Sequence, residues 1–292
     1  MCMNNLKNVS FEQNVFSKIK NKNTAVQNPQ TKPQNTFKKI AIAGAVIGGV
    51  AIAGLLLSKV TKGKFGKPSF DKEIEERLQK LIEEKQIDKE TVDFLKDVVL
   101  NRKIKNPKEL YNAMLTYMGH KTGPNLVQNK TPKGANGVYL FTSGELSIEG
   151  KVTMGTMYHE LTHFDQFQKV YRAFGKDKMI DAYCEKINNH MKYEPKYAQI
   201  KLGKSYNEAT EKEIEEVLTK ERQRISEKFN EEFYEKIAKE KGELSEKEFK
   251  QAETYLEAMK NPFHNQSYIE KEAYSKELQF GKKIQTFINA IK

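Results

Sequence analysis

The segment Met157-Tyr158-His159-Glu160-Leu161-Thr162-His163-Phe164-Asp165-Gln166 sets two imidazoles four residues apart, with a carboxylate beside the first. On a helix, positions four apart lie about 40° apart around the axis. His159 and His163 then stand one turn above the other and offer two ring nitrogens to a single cation. Glu160 is turned about 100° from His159, which makes it a poor ligand but leaves it within reach of a water on that cation. Zinc lowers the pKa of such a water to about 7 and polarises a carbonyl, while a nearby carboxylate takes the proton and passes it to a leaving amine. These residues are fitted for metal-assisted hydrolysis.

The elements that must position them can be read from periodicity. Met157, Leu161, Phe164, Phe167 and Tyr171 form one apolar stripe at helical spacing, whereas His159, His163 and Gln166 project about 100 to 160° from its centre. The histidines are therefore off the stripe that packs the core. Glu160 falls about 40° from the stripe's centre, where a charge is costly without a partner. A third protein ligand must come from elsewhere. Gln166 and Lys169 stand where the metzincin pattern needs glycine and histidine, so that class is excluded. The candidate lies in Ser267-Tyr268-Ile269-Glu270-Lys271-Glu272-Ala273-Tyr274, whose two glutamates are about 200° apart on a helix. Ala273, one turn beyond Glu270 on the same face, lets two helices approach closely enough to share a metal. Glu270 is the preferred ligand and Glu272 the alternative. The competing role for Glu270 is a capping box with Ser267.

With its downstream Glu270-x-Glu272-Ala273-Tyr274, the pattern His159-Glu160-x-x-His163-x-x-Gln166 resembles the zincin metallopeptidases of the glutamate-ligand type, the gluzincins in the broad sense. The resemblance implies two helices, one carrying the histidines and one the glutamate, beside a small sheet whose edge strand aligns an extended peptide. It implies Zn2+ as cofactor, held by His159, His163 and Glu270, with Glu160 as general base. In that group the ligand glutamate is often followed by a small residue at the third place and an acid at the fourth. Ala273 matches and Tyr274 departs.

The expected activity is that of a membrane-anchored zinc metalloendopeptidase acting on peptides or proteins. The alternative is a membrane-tethered helical interaction protein that binds zinc without cleaving peptides. Tyr274, Tyr268 and His264 are the candidate oxyanion donors, of which Tyr274 joins Glu160 as an expected catalytic residue, and Gln166 is a candidate brace.

Charge distribution excludes a nucleic-acid partner. The net charge is +11, yet residues 1–67 hold eleven lysines against Glu12 alone, so the remainder is nearly neutral. There, basic and acidic residues alternate at helical spacing, the pattern of solvated helix faces. Cys2 in the tail and Cys184 in the domain make no disulfide framework.

Residues 1–39 read as a disordered basic tail, rich in Asn, Lys, Gln and Thr. Ile40 to Ser58 runs nineteen residues without a charge, a helix of about 28 Å that suffices to cross a bilayer. Flanking lysines balance on its two sides, so charge does not set the orientation; a short tail before a single anchor favours an external or periplasmic catalytic domain. Residues 59–69, with Gly63, Gly66 and Pro68, form a linker.

The catalytic domain, residues 70–292, reads as α+β and mostly helical, with a small hairpin before the metal-binding helix. The spacing predicts helices over about 70–86 and 88–101 and a third opened by Asn106-Pro107. Gly137–Phe141 and Leu146–Ile148 read as the only strands, around a Gly-containing turn. A charged helical insertion occupies about 205–260, with one long helix from Thr210 to about Lys241 and another capped by Ser245 and Glu248. The last helix opens at Ser267.

Overall fold

The structure, a computed structural model, describes residues 72–100, 106–132, 135–149 and 152–291. The tail, the Ile40–Ser58 segment and the linker lie outside the described residues. Among the described residues no helix is long and apolar enough to cross a membrane.

The chain is α+β and mostly helical. Helices α1 (Lys72–Glu83), α2 (Lys89–Leu95, continued by a wide turn at Lys96–Leu100) and α3 (Pro107–Tyr117) come first. Local chemistry fixes their starts: Asp88 accepts a hydrogen bond from the Thr91 amide, and Asn106 accepts one from Glu109 ahead of Pro107. Strands β1 (Asn125–Gln128), β2 (Gly137–Leu140) and β3 (Glu145–Ile148) make a sheet of order β1-β3-β2. The β2–β3 hairpin is antiparallel, pairing Tyr139 with Leu146, and its turn spans Phe141 to Gly144. Strand β1 was not expected. It adds in parallel, pairing Leu126 with Leu146, and four residues without alternation carry no local signal that a distant partner exists.

Helix α4 (Met154–Tyr193) is the spine. Thr153 caps it through the Thr156 amide, and Gly175 breaks it at φ +75° and ψ 179°, a conformation that L side chains avoid. Its first half packs with β3, α2, α3 and the end of the last helix around Leu95, Met114, Leu146, Met157 and Phe280. Its second half packs with α5 (Pro195–Leu202), α6 (Glu211–Lys228), α7 (Glu231–Lys241) and α8 (Glu246–Met259) around Met179, Tyr197, Ile225, Tyr234 and Tyr255.

The expected long helix from Thr210 is two helices. Thr210 and Glu213 form the capping box, but α6 stops at Lys228, Phe229 is extended, and Asn230 caps α7 by accepting from the Phe233 amide. The Asn230 amide donates instead to the Thr142 carbonyl of the hairpin turn, 2.7 Å away. Tertiary contact, which helical periodicity cannot report, places the break. Ser245 with Glu248 caps α8 as expected. The last helix, α9 (Tyr268–Ala290), opens at Ser267, but the Ser267–Glu270 capping box is absent. The Ser267 hydroxyl donates to the Ala258 carbonyl, leaving the Glu270 carboxylate for other partners.

Candidate metal centre

His159 and His163 on α4 and Glu270 on α9 come together as a buried group that could hold a metal ion. They are 7%, 6% and 5% exposed. The two Nε2 atoms are 3.1 Å apart. Glu270 lies 3.2 Å from His163 Nε2 through one oxygen and 3.6 Å from His159 Nε2 through the other. Tetrahedral zinc with bonds of about 2.0–2.1 Å separates its ligand atoms by about 3.3 Å, close to the distance between the two nitrogens and to that of each nitrogen from one of the two carboxylate oxygens.

Hydrogen bonds behind the ligands fix which nitrogen faces the focus. Gln166 Nε2 donates to the Ile269 carbonyl at 3.1 Å and to Glu272 at 2.9 Å, and both of these are acceptors. Its amide oxygen must then face His163 Nδ1, 2.9 Å away, which makes Nδ1 the donor and leaves the Nε2 lone pair directed inward. On the other histidine, Nδ1 donates to Glu277 at 3.1 Å, with the same result. Two inward lone pairs beside a carboxylate repel one another unless a cation lies between them. With no cation there a proton takes its place: burial pulls the His159 pKa down, but hydrogen bonds to Glu270 and Glu277 outweigh it and push it up to about 9, so a metal ion has to displace that proton to reach the Nε2 lone pair. Burial opposes ionisation of Glu270 as well, yet His159, His163 and His264 hold its carboxyl well below the usual range.

Glu160 is placed by the sheet. The Tyr139 amide of β2 donates to its Oε2 at 2.9 Å, supplying the partner that its apolar side of α4 required. A Cβ added at Gly137 would lie 2.9 Å from Glu160 Cγ and 3.1 Å from Thr156 Cγ2, so only glycine lets α4 approach this strand so closely. Burial raises the Glu160 pKa against the pull of both imidazoles, a shift that suits a group exchanging a proton near neutral pH.

Other residues singled out in the sequence divide. Tyr274 sets its ring 4.5 Å from the His159 ring and is 56% exposed. Burial, followed by the Glu270, Glu277 and Glu160 charges, raises its phenol pKa and keeps it a donor. His264 Nε2 approaches Glu270 Oε1 at 2.9 Å from the solvent side. Tyr268 turns away toward Tyr255. Glu272 is spent on Gln166 and Lys276, outside the focus. Glu277 was missed. It stands seven residues beyond Glu270, close to two full turns and hence on the same face, a spacing that was legible in the sequence.

No family model matches the chain, and neither a curated protein nor a solved structure shows significant similarity to it.

Proposed function

We propose that the protein is a zinc-dependent metallopeptidase. The observation that supports this best is the donor set itself: two imidazole nitrogens and a carboxylate at zinc-like spacing, their outer nitrogens turned to acceptors, with a further buried carboxylate alongside. His159, His163 and Glu270 would hold the ion, and zinc would supply an acidified water and a polarised carbonyl. Glu160 takes a proton from the attacking water on Oε1, since Oε2 is engaged by the Tyr139 amide. It delivers that proton to the leaving amine as the C–N bond breaks, and the water oxygen ends in the new carboxylate. Tyr274 and His264, both partly exposed beside the site, would donate to the substrate in this reading. We further propose that residues 40–58 tether the domain to a membrane on its external face; protease digestion of intact cells checks this, and a protected domain would reverse the orientation.

The test is zinc content and peptide-library cleavage by the full chain in detergent, beside Glu160→Gln. We expect stoichiometric zinc in both proteins and a loss of about 10²–10⁴-fold in cleavage by the variant. Zinc retained in the unmodified chain with no peptide cut would favour the tethered interaction protein instead.

A further inference from the structure

The sheet edge beside Glu160 is closed at one end. Among the described residues strand β2 is an outer strand, and its main-chain groups alternate between β3 and the outside. The Leu140 carbonyl accepts from the Gly144 amide within the hairpin, whereas the Tyr139 amide points outward to Glu160. The next outward groups are already taken by the helical insertion. The Tyr234 hydroxyl donates to the Phe141 carbonyl at 2.7 Å, the Asn230 amide to the Thr142 carbonyl at 2.7 Å, and Asn230 Nδ2 to the Ser143 carbonyl at 3.3 Å. Phe233 lies so close over the turn that a Cβ at Gly144 would collide with its ring. This stop is packed core, since Tyr234 is fully buried and its hydroxyl also meets that of Tyr139 at 2.8 Å. In the other direction β2 begins at Gly137, preceded by the exposed Asn136.

A peptide adding to such an edge advances about 3.3 Å per residue and meets outward groups at every second residue. Glu160 marks the position of Tyr139, and the stop begins at Phe141. A guest therefore has room for about one or two residues on that side, whereas at Gly137 on the other side no such stop stands among the described residues. In antiparallel pairing, the more stable kind, the guest's amino-terminal residues lie toward Phe141. Resting on the peptidase reading above, we propose that this site trims one or two residues from the amino end of peptides, with the start of α7 as the stop. Water divides as already described: the released residue or dipeptide gains the carboxylate, and the remainder gains a new amine. Such an enzyme is an exopeptidase, in place of the endopeptidase expected from the sequence.

The experiment uses the zinc-loaded full chain and one peptide presented in three forms: as such, with about four residues added at its amino end, and cyclised head to tail. Mass spectrometry should find the cut following the amino end, one or two residues in, with the cyclic form intact. A cut fixed at one internal bond, a cut following the carboxyl end, or an opened ring would overturn the proposal while leaving the peptidase reading in place. No cleavage of any peptide would remove that reading and this proposal with it. Binding gives a readout independent of turnover: Glu160→Gln protein should hold the linear peptide at least about tenfold more tightly than the cyclic one, a difference of about 1.4 kcal/mol. Equal affinity would also overturn the proposal.

Discussion

Glu277 and Gln166 act on the candidate metal only through the rings they hold. Each engages an Nδ1 atom and leaves the Nε2 lone pair directed at the focus. Outer partners of this kind commonly contribute 10–100-fold, roughly, to metal affinity. Glu277→Gln keeps the size but replaces the anionic acceptor, so zinc affinity measured by chelator competition should fall within that range; unchanged affinity would mean the contact is incidental. His120 is a different case. It is 5% exposed, neither ring nitrogen has a hydrogen-bond partner among the described residues, and Asp165 is 3.7 Å away. Burial lowers its pKa from 6.5 to about 4. Between those values the unfolded chain binds more protons than the folded one, so stability rises with pH across that window and is lost on acidification. His120→Phe should remove this part of the pH dependence, and at neutral pH it should leave stability within about 1 kcal/mol, because no satisfied hydrogen bond is lost. Urea unfolding at a series of pH values checks both statements.

Helix α4 has two tasks, and Gly175 separates them. Upstream, the helix carries the histidines against β2 and α9; downstream, it gives α5 to α8 a surface to pack on. The change of direction needs φ +75° with ψ 179°, which is open almost only to glycine. Gly175→Ala meets no steric neighbour among the described residues, so its cost is backbone strain, about 1–3 kcal/mol in unfolding free energy. An unchanged urea midpoint would show that the helix straightens instead. At the same scale the insertion has a function that its composition hid. Asn230 both starts α7 and ties it to the hairpin, so the charged arm reaches the edge strand beside Glu160.

The whole molecule closes around a site whose two halves come from helices about a hundred residues apart in the chain. Lys283 of α9 pairs with Asp88 at the start of α2, and Gln166 ties α4 to the first turn of α9. The unfolded chain cannot present this arrangement, so binding of the proposed zinc would be linked to folding. Zinc at a thousand times its dissociation constant should add about 4 kcal/mol to stability and raise the melting temperature, with chelation reversing the gain. Calorimetry with and without a chelator checks this, and a Glu270→Ala protein should lose most of the shift. If zinc moves the melting temperature of that variant as it does the parent's, the ion binds elsewhere.

What the sequence determined by itself was local: helical periodicity, caps such as Asn106, Thr210 and Ser245, the hairpin, and the pairing of His159 with His163 one turn apart. These follow from interactions within a few residues, where spacing and geometry are the same thing. The preference for Glu270 over Glu272 was also legible, because Ala273 records how closely two helices can approach. Tertiary structure alone decided the rest. It placed β1 beside β3, broke the insertion at Phe229 and Asn230, gave Glu160 the Tyr139 amide as its partner, and laid Tyr234 and Asn230 across the end of the edge strand. Each of these depends on backbone groups brought together from distant parts of the chain, and a main-chain N–H or C=O is the same in every residue, so the sequence carries no mark of which one it will meet.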